Sequence, residues 1–233
     1  MIVSIHQPDY IPYIGYFYKI AQSQKFIFLD DTQYSNDNMH QWNKIKTPQG
    51  ECRIKIPVEH KFGDNINEVR TRDELKWKEK HLKTIEMNYS KAKYFADVFP
   101  KFKELVIANY SNLADMNIAI NTWICNEFGF NVEFYRSSDM NIHTAKEERV
   151  IDLCLAIGGD TYISGNGARC YQVDEHYTDR GVKLQYTDYQ PIEYKQLWKE
   201  FVPNMSILDY VFNNGFDFDK IIALIKDLND GDR

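Results

Sequence analysis

Met1-Ile2-Val3-Ser4-Ile5-His6-Gln7-Pro8-Asp9-Tyr10 opens the chain, and Lys25-Phe26-Ile27-Phe28-Leu29-Asp30-Asp31 closes the same segment. Each stretch is a short apolar run, β-branched or aromatic, that ends in polar groups. That length and composition predict two buried strands over residues 2–6 and 26–30. Between them Ile11, Ile14, Tyr18 and Ala21 recur at three- to four-residue steps, as a helix packed on a sheet requires. Pro8 and Pro12 restrict its entry, so the helix is expected to begin near Pro12 or Tyr13. In open α/β sheets ligands bind beyond the carboxyl ends of the strands. His6 and the pair Asp30-Asp31 are therefore expected to face one site from neighbouring strands.

Bulk properties set the outer limits. With 233 residues, 43% hydrophobic and 15% aromatic, the chain can bury the core of one large domain. Thirty-four acidic against 28 basic residues give a net charge of -6, which argues against general nucleic-acid binding. Cys52, Cys125, Cys154 and Cys170 form no C-x-x-C pair, which argues against a zinc site or a disulfide framework and for a reducing compartment. The longest apolar runs are about five to six residues, against roughly 20 for a membrane span. No cationic start precedes an apolar stretch. The expectation is a soluble, cytoplasmic protein with no membrane span.

Outward from the opening, strand and helix alternate at both ends around a helical middle. Residues 31–50 read as a long functional loop, and residues 51–58 alternate as a half-exposed strand. From Asp73 to Phe128 the periodicity is helical. One stripe carries Leu75, Leu82, Ile85 and Tyr89; another carries Leu113, Met116, Ile120, Trp123 and Ile124; Gly129 stands at a C-cap. Residues 130–134 read as a strand. Thr144-Ala145-Lys146-Glu147 reads as a capping box opening a helix that closes at Gly158-Gly159. Residues 161–164 and 183–186 read as strands, and Ser206 to Leu228 as helix. The expected architecture is an α/β fold, a Rossmann-like parallel sheet flanked by helices, in a single domain over 1–233 with a helical insert at about 73–128.

Four constellations could carry chemistry. The first is the elbow of His6, Gln7, Asp9 and Tyr10, whose imidazole suits acid–base work or an anion, or merely bonds its own turn. The second is Asp30-Asp31. Neighbouring carboxylates in a strand point to opposite faces, so they form no metal pair alone; one of them could bind Mg²⁺ or steady a basic side chain of the following loop, and a turn-forming aspartate is the alternative. The third is the segment Tyr34 to Lys46. There Lys44 and Lys46 could grip phosphate while Tyr34 or Trp42 stacks on a ring, although a solvated strand edge explains the lysines as well. The fourth is Ser164-Gly165-Asn166-Gly167-Ala168-Arg169, where glycines free backbone N–H groups, a following helix would face an anion, and Arg169 offers a bidentate grip. A plain tight turn is the alternative.

Residues 5–20, Phe28 to Ser35, Asn43 to Gly50, Asp160 to Gly165 and Phe201-Val202-Pro203-Asn204-Met205-Ser206-Ile207-Leu208-Asp209 together resemble the WbqC-like proteins, almost end to end. The chain departs from that pattern at Asn166, Ala168 and Cys170, and before Pro191, where a histidine is usual. The resemblance implies a link to O-antigen and other surface polysaccharides, with transfer of an acyl or aminoacyl (glycyl) group to a sugar. A fainter architectural likeness ties the elbow to HIGH-type nucleotidyltransferases, with Tyr13 and Tyr16 in place of that motif's histidines.

The reading that follows is a transferase acting on a nucleotide-linked amino sugar. His6 is its general base, Asp31 orients that histidine or a metal, and Lys44, Lys46 and Arg169 hold phosphates. Tyr34 and Trp42 stack on a base or sugar. Gln7, Asp9, Tyr10, Gly15, Asp30, Asn43, Ser164 and Gly165 complete the substrate-binding set, and no side chains are assigned to a metal. The alternatives are an adenylate-forming enzyme using ATP with Mg²⁺, or a non-catalytic sugar-nucleotide binder. Self-association is left open.

Overall fold

The computed structural model describes residues 1–198 and 200–231. In chain order its elements are β1 (Ile2–His6), α1 (Ile14–Ala21), β2 (Lys25–Phe28), β3 (Trp42–Thr47), β4 (Gly50–Lys55), β5 (Val58–Glu59), β6 (Arg70–Thr71), α2 (Trp77–Tyr89), α3 (Phe95–Ile107) and α4 (Leu113–Glu127). Then come β7 (Glu133–Arg136), α5 (Lys146–Ala156), β8 (Thr161–Ser164), α6 (Asp174–Thr178), β9 (Lys183–Tyr186), α7 (Ile207–Asn214) and α8 (Phe218–Gly231).

Five of the strands form one parallel sheet in the order β7-β2-β1-β8-β9. The fold is α/β and Rossmann-like, as expected. The opening run is its central strand, which explains why Val3, Ser4 and Ile5 are all buried. From β1 the chain builds outward through β2 and β7, then crosses back to place β8 and β9 on the other side. The order therefore reverses between β1 and β8.

Alternation of side chains divides the core. Phe26 and Phe28 join α1, the helices α2 to α4, the hairpin of β3 and β4, and the C-terminal helices on one face. Val3, Ile5 and Ile27 face α5 and α6 on the other. The residues of the helical middle are thus continuous with the larger core.

Several boundaries moved for physical reasons. Tyr13 is the N-cap of α1 and Ile11 has φ 39°, so the helix starts at Ile14. The expected stripe is too narrow: Tyr18 and Ala21 are half-buried, while Gly15, Tyr16, Phe17 and Lys19 are buried. Strand β2 ends at Phe28, leaving both aspartates beyond it. Residues 31–50 are only partly loop, because β3 pairs with β4 from Trp42 onward. Phe130 N–H donates to the Cys125 carbonyl and so belongs to the closure of α4, which delays β7 to Glu133. Leu75 lies in a short turn before α2 and is exposed. No capping box forms at Thr144, whose hydroxyl donates to Asp152 instead. The C-terminal helix breaks at Gly215, which adopts φ 79°. Among the described residues no helix is long and apolar enough to cross a membrane.

Candidate functional site

A cleft of about 510 Å³ opens where the strand order reverses, above the ends of β1, β8 and β9. This is where crossovers leaving in opposite directions part and expose the strand ends. His6 and Gln7 enter it from β1, and Tyr13, Gly15, Tyr16 and Lys19 from α1. Ser164, Gly165, Asn166, Gly167 and Ala168 enter from the turn after β8, and Tyr162, Tyr171 and Tyr189 add phenol rings.

The His6 side chain is 40% exposed and borders the cleft. Its Nδ1 lies 3.1 Å from the Gln7 carbonyl oxygen. A carbonyl only accepts, so Nδ1 carries the proton and Nε2 presents the lone pair. The ring also packs edge-on against Tyr16, whose hydroxyl donates to the same Gln7 carbonyl at 3.1 Å. Desolvation, then the Lys19 ammonium, push the His6 pKa down to about 4, with the Asp9 carboxylate opposing them. The imidazole is therefore neutral near pH 7.

The carboxylate beside His6 is Asp9 rather than Asp31. Asp9 Oδ2 is 3.8 Å from His6 Nδ1, and its Oδ1 accepts from Nδ1 of the fully buried His40 at 3.0 Å. The elbow itself hangs from side-chain amides. Asn117 Nδ2 donates to Pro8 and His40 carbonyls at 2.8 Å each, and Asn121 Nδ2 to the Asp9 carbonyl at 2.9 Å. Asn43 Nδ2 holds the Tyr10 and Ile11 carbonyls, both at 2.9 Å. A non-helical elbow buried under α4 must find these donors elsewhere than in its own backbone.

The cleft gathers His6, Gln7, Gly15, Ser164 and Gly165 from the predicted set. At Gly15 a Cβ would collide with the Tyr13 ring and come within 2.7 Å of Tyr189, so glycine there lets both rings close over the helix. The other predicted residues lie elsewhere. Tyr10 and Asn43 are buried supports of the elbow, and the Tyr10 hydroxyl stands 2.7 Å from His81 Nε2. Asp30 accepts from Arg136 Nε and Nη2 at 2.8 and 2.7 Å and from Ser138, joining the ends of β2 and β7. Asp31 pairs with Arg149 at 2.5 Å in an adjoining hollow that shares Leu29 and Val150 with the cleft. Both aspartates lie beyond the end of β2, so strand alternation does not set their directions; their arginine partners differ, but the Ser137 hydroxyl reaches both carboxylates.

Tyr34 is buried and bonded to Asn36, and Trp42 stacks under Arg53 at 3.6 Å. Lys44 pairs with Glu51 at 2.9 Å, and buried Lys46 donates to the Trp198 and Glu200 carbonyls. None of these four borders the cleft. After β8 comes a three-residue 3₁₀ turn, Asn166–Ala168, in place of the expected helix. Arg169 does not line the cleft; it lies over Tyr186 at 4.4 Å and 3.7 Å from Asp188.

Sequence reasoning missed Lys19. It is 4% exposed, donates to the Ile5 carbonyl at 2.9 Å, and burial pushes its pKa down to about 7. The readable signal was its position one turn after Gly15 on the same helical face.

A parallel sheet flanked by helices, with a crevice at its switch point, defines an α/β protein of Rossmann-like architecture. The model of the WbqC-like protein family matches residues 7–220, and the chain belongs to that family. It is similar to the uncharacterized protein Rv1507c of Mycobacterium tuberculosis (strain ATCC 25618 / H37Rv), at 35% identity over 217 residues, covering 91% of this chain and 94% of the relative. No solved structure matches.

Proposed function

We propose that the protein is a transferase of surface-polysaccharide assembly that moves an acyl or aminoacyl group onto a nucleotide-linked amino sugar. The observation that carries this reading is His6, with Nδ1 held by the Gln7 carbonyl and Asp9 beside it, at the mouth of a tyrosine-rich cleft. Tyr13, Tyr162, Tyr171 and Tyr189 supply ring faces and hydroxyls for a sugar or base. The family resemblance supplies the polysaccharide context.

In this reading the amine of the sugar attacks the donor's carbonyl carbon and the bond to the donor's leaving group breaks. The proton lost by the nitrogen passes to His6 Nε2 and then to the leaving group. The Asp9 carboxylate, 3.8 Å from Nδ1, offsets the positive charge that the imidazole gains. That contribution supports a base whose own proton affinity is low.

The test is turnover with a panel of nucleotide amino sugars and acyl donors. His6→Asn should lower kcat by about 10²–10⁴-fold, the usual range for a positioned acid–base group. The melting temperature should stay within a few degrees of the parent. Undiminished turnover in that variant would refute the assignment.

A further inference from the structure

The cleft contains no carboxylate among its lining residues, although the chain carries 34 acidic side chains. Lys19 is the lining residue that bears an ammonium. Its one hydrogen-bond partner among the described residues is the Ile5 carbonyl, at 2.9 Å. No acidic oxygen of those residues approaches it within ion-pair distance; Asp9 acts on it only through space. Burying an ammonium without a counter-charge is costly, so such a group is kept where something else supplies the charge. An ammonium has three donors, and here two of them lack a partner.

The turn across the cleft has the same character. Among the described residues, no hydrogen bond from the N–H groups of Gly165, Asn166 or Gly167 reaches a loop carbonyl or a side chain, and all three residues border the cleft. A Cβ at Gly165 or Gly167 would meet nothing within 4 Å, so no side chain or backbone crowds the turn at these two positions.

We propose that Lys19 and the amides of the Gly165–Gly167 turn form an anion seat for a phosphate or diphosphate group of the ligand. It takes over the part that sequence reading gave to Lys44, Lys46 and Arg169, which are engaged elsewhere. The proposal deepens the transferase reading by naming where a nucleotide's phosphates sit, and it rests on that reading only for the identity of the ligand.

The experiment is calorimetric titration of the full chain with inorganic pyrophosphate, with orthophosphate in parallel. The unmodified chain should bind pyrophosphate saturably and more tightly than orthophosphate. Lys19→Met keeps most of the stem volume and removes the charge; it should weaken binding at least about tenfold, the loss of one charge-assisted hydrogen bond. Gly167→Asp keeps Lys19 and places a carboxylate in open space, and it should weaken binding comparably with an unchanged melting temperature. Arg169→Ala and His6→Asn should each change the affinity less than about twofold. No saturable binding by the unmodified chain, or undiminished affinity in folded Lys19→Met or in Gly167→Asp, overturns the anion seat. Pyrophosphate binding in a protein that turns over no amino sugar would defeat the transferase reading and leave the seat standing.

Discussion

At the scale of single residues, two side chains of the cleft, one on β1 and one on α1, have opposite tasks in the proposed chemistry. The proposed base needs the lowered proton affinity that burial gives His6, and the proposed anion seat needs a Lys19 that no carboxylate of the described residues pairs with. A lysine whose pKa is pushed down to about 7 binds fewer protons in the folded chain than in the unfolded one. Its burial therefore costs most below pH 7, where both states would hold the proton, and the cost disappears above the unfolded lysine value near 10.4. Lys19→Met is expected to raise the melting temperature relative to the parent below pH 7. The gap should shrink as the pH rises toward 10, and a series of thermal scans reads it directly. A constant gap would mean that Lys19 binds its proton equally well in the folded and unfolded chain, so that burial does not lower its pKa.

At the scale of elements, the elbow and α4 form one device. Residues 7–10 have no helix or ladder to satisfy their carbonyls, and α4, more than a hundred residues later, supplies Asn117 and Asn121 to do so. The helices of the middle were legible from their periodicity, but their role as a clamp was not. Period 3.6 reports which residues are apolar, and Asn117 is a polar residue buried for its donor. Asn117→Ala leaves the Pro8 and His40 carbonyls without that donor and should cost about 2–4 kcal/mol, since each unpaired buried group costs about 1–3. Urea unfolding would measure this. The variant's kcat should fall more than its stability alone explains, because the Asp9–His6 geometry hangs from the same carbonyls.

At the scale of the whole molecule, the Pro-Asn-Met-Ser-Ile-Leu-Asp stretch is a latch. Asn204 adopts φ 56°, Ser206 N–H donates to the Lys44 carbonyl, and buried Asp209 accepts from Tyr89 and Tyr194 at 2.8 and 2.9 Å. Lys46 completes it by holding the Trp198 and Glu200 carbonyls. The latch ties the C-terminal helices to the β3–β4 hairpin, away from the cleft. Lys46→Met should accordingly destabilise the fold by about 1–3 kcal/mol in urea unfolding, since the Trp198 and Glu200 carbonyls lose their charged donor. Pyrophosphate affinity should move less than about twofold. A variant of normal stability and lost affinity would return Lys46 to the site.

The order and type of the sheet's elements were decided locally, because a buried parallel strand must be a short apolar run and a helix on a sheet must repeat every three to four residues. From that alone β1, β8 and β9, the α/β architecture and the position of His6 at a strand end could be read. Which charged groups share the cleft was settled only in three dimensions. Lysines and arginines have long side chains that pair with whatever the fold brings near, so Lys44, Lys46 and Arg169 found carboxylates, carbonyls or a ring. Lys19 borders the cleft bonded to the Ile5 carbonyl, with no carboxylate of the described residues paired to it.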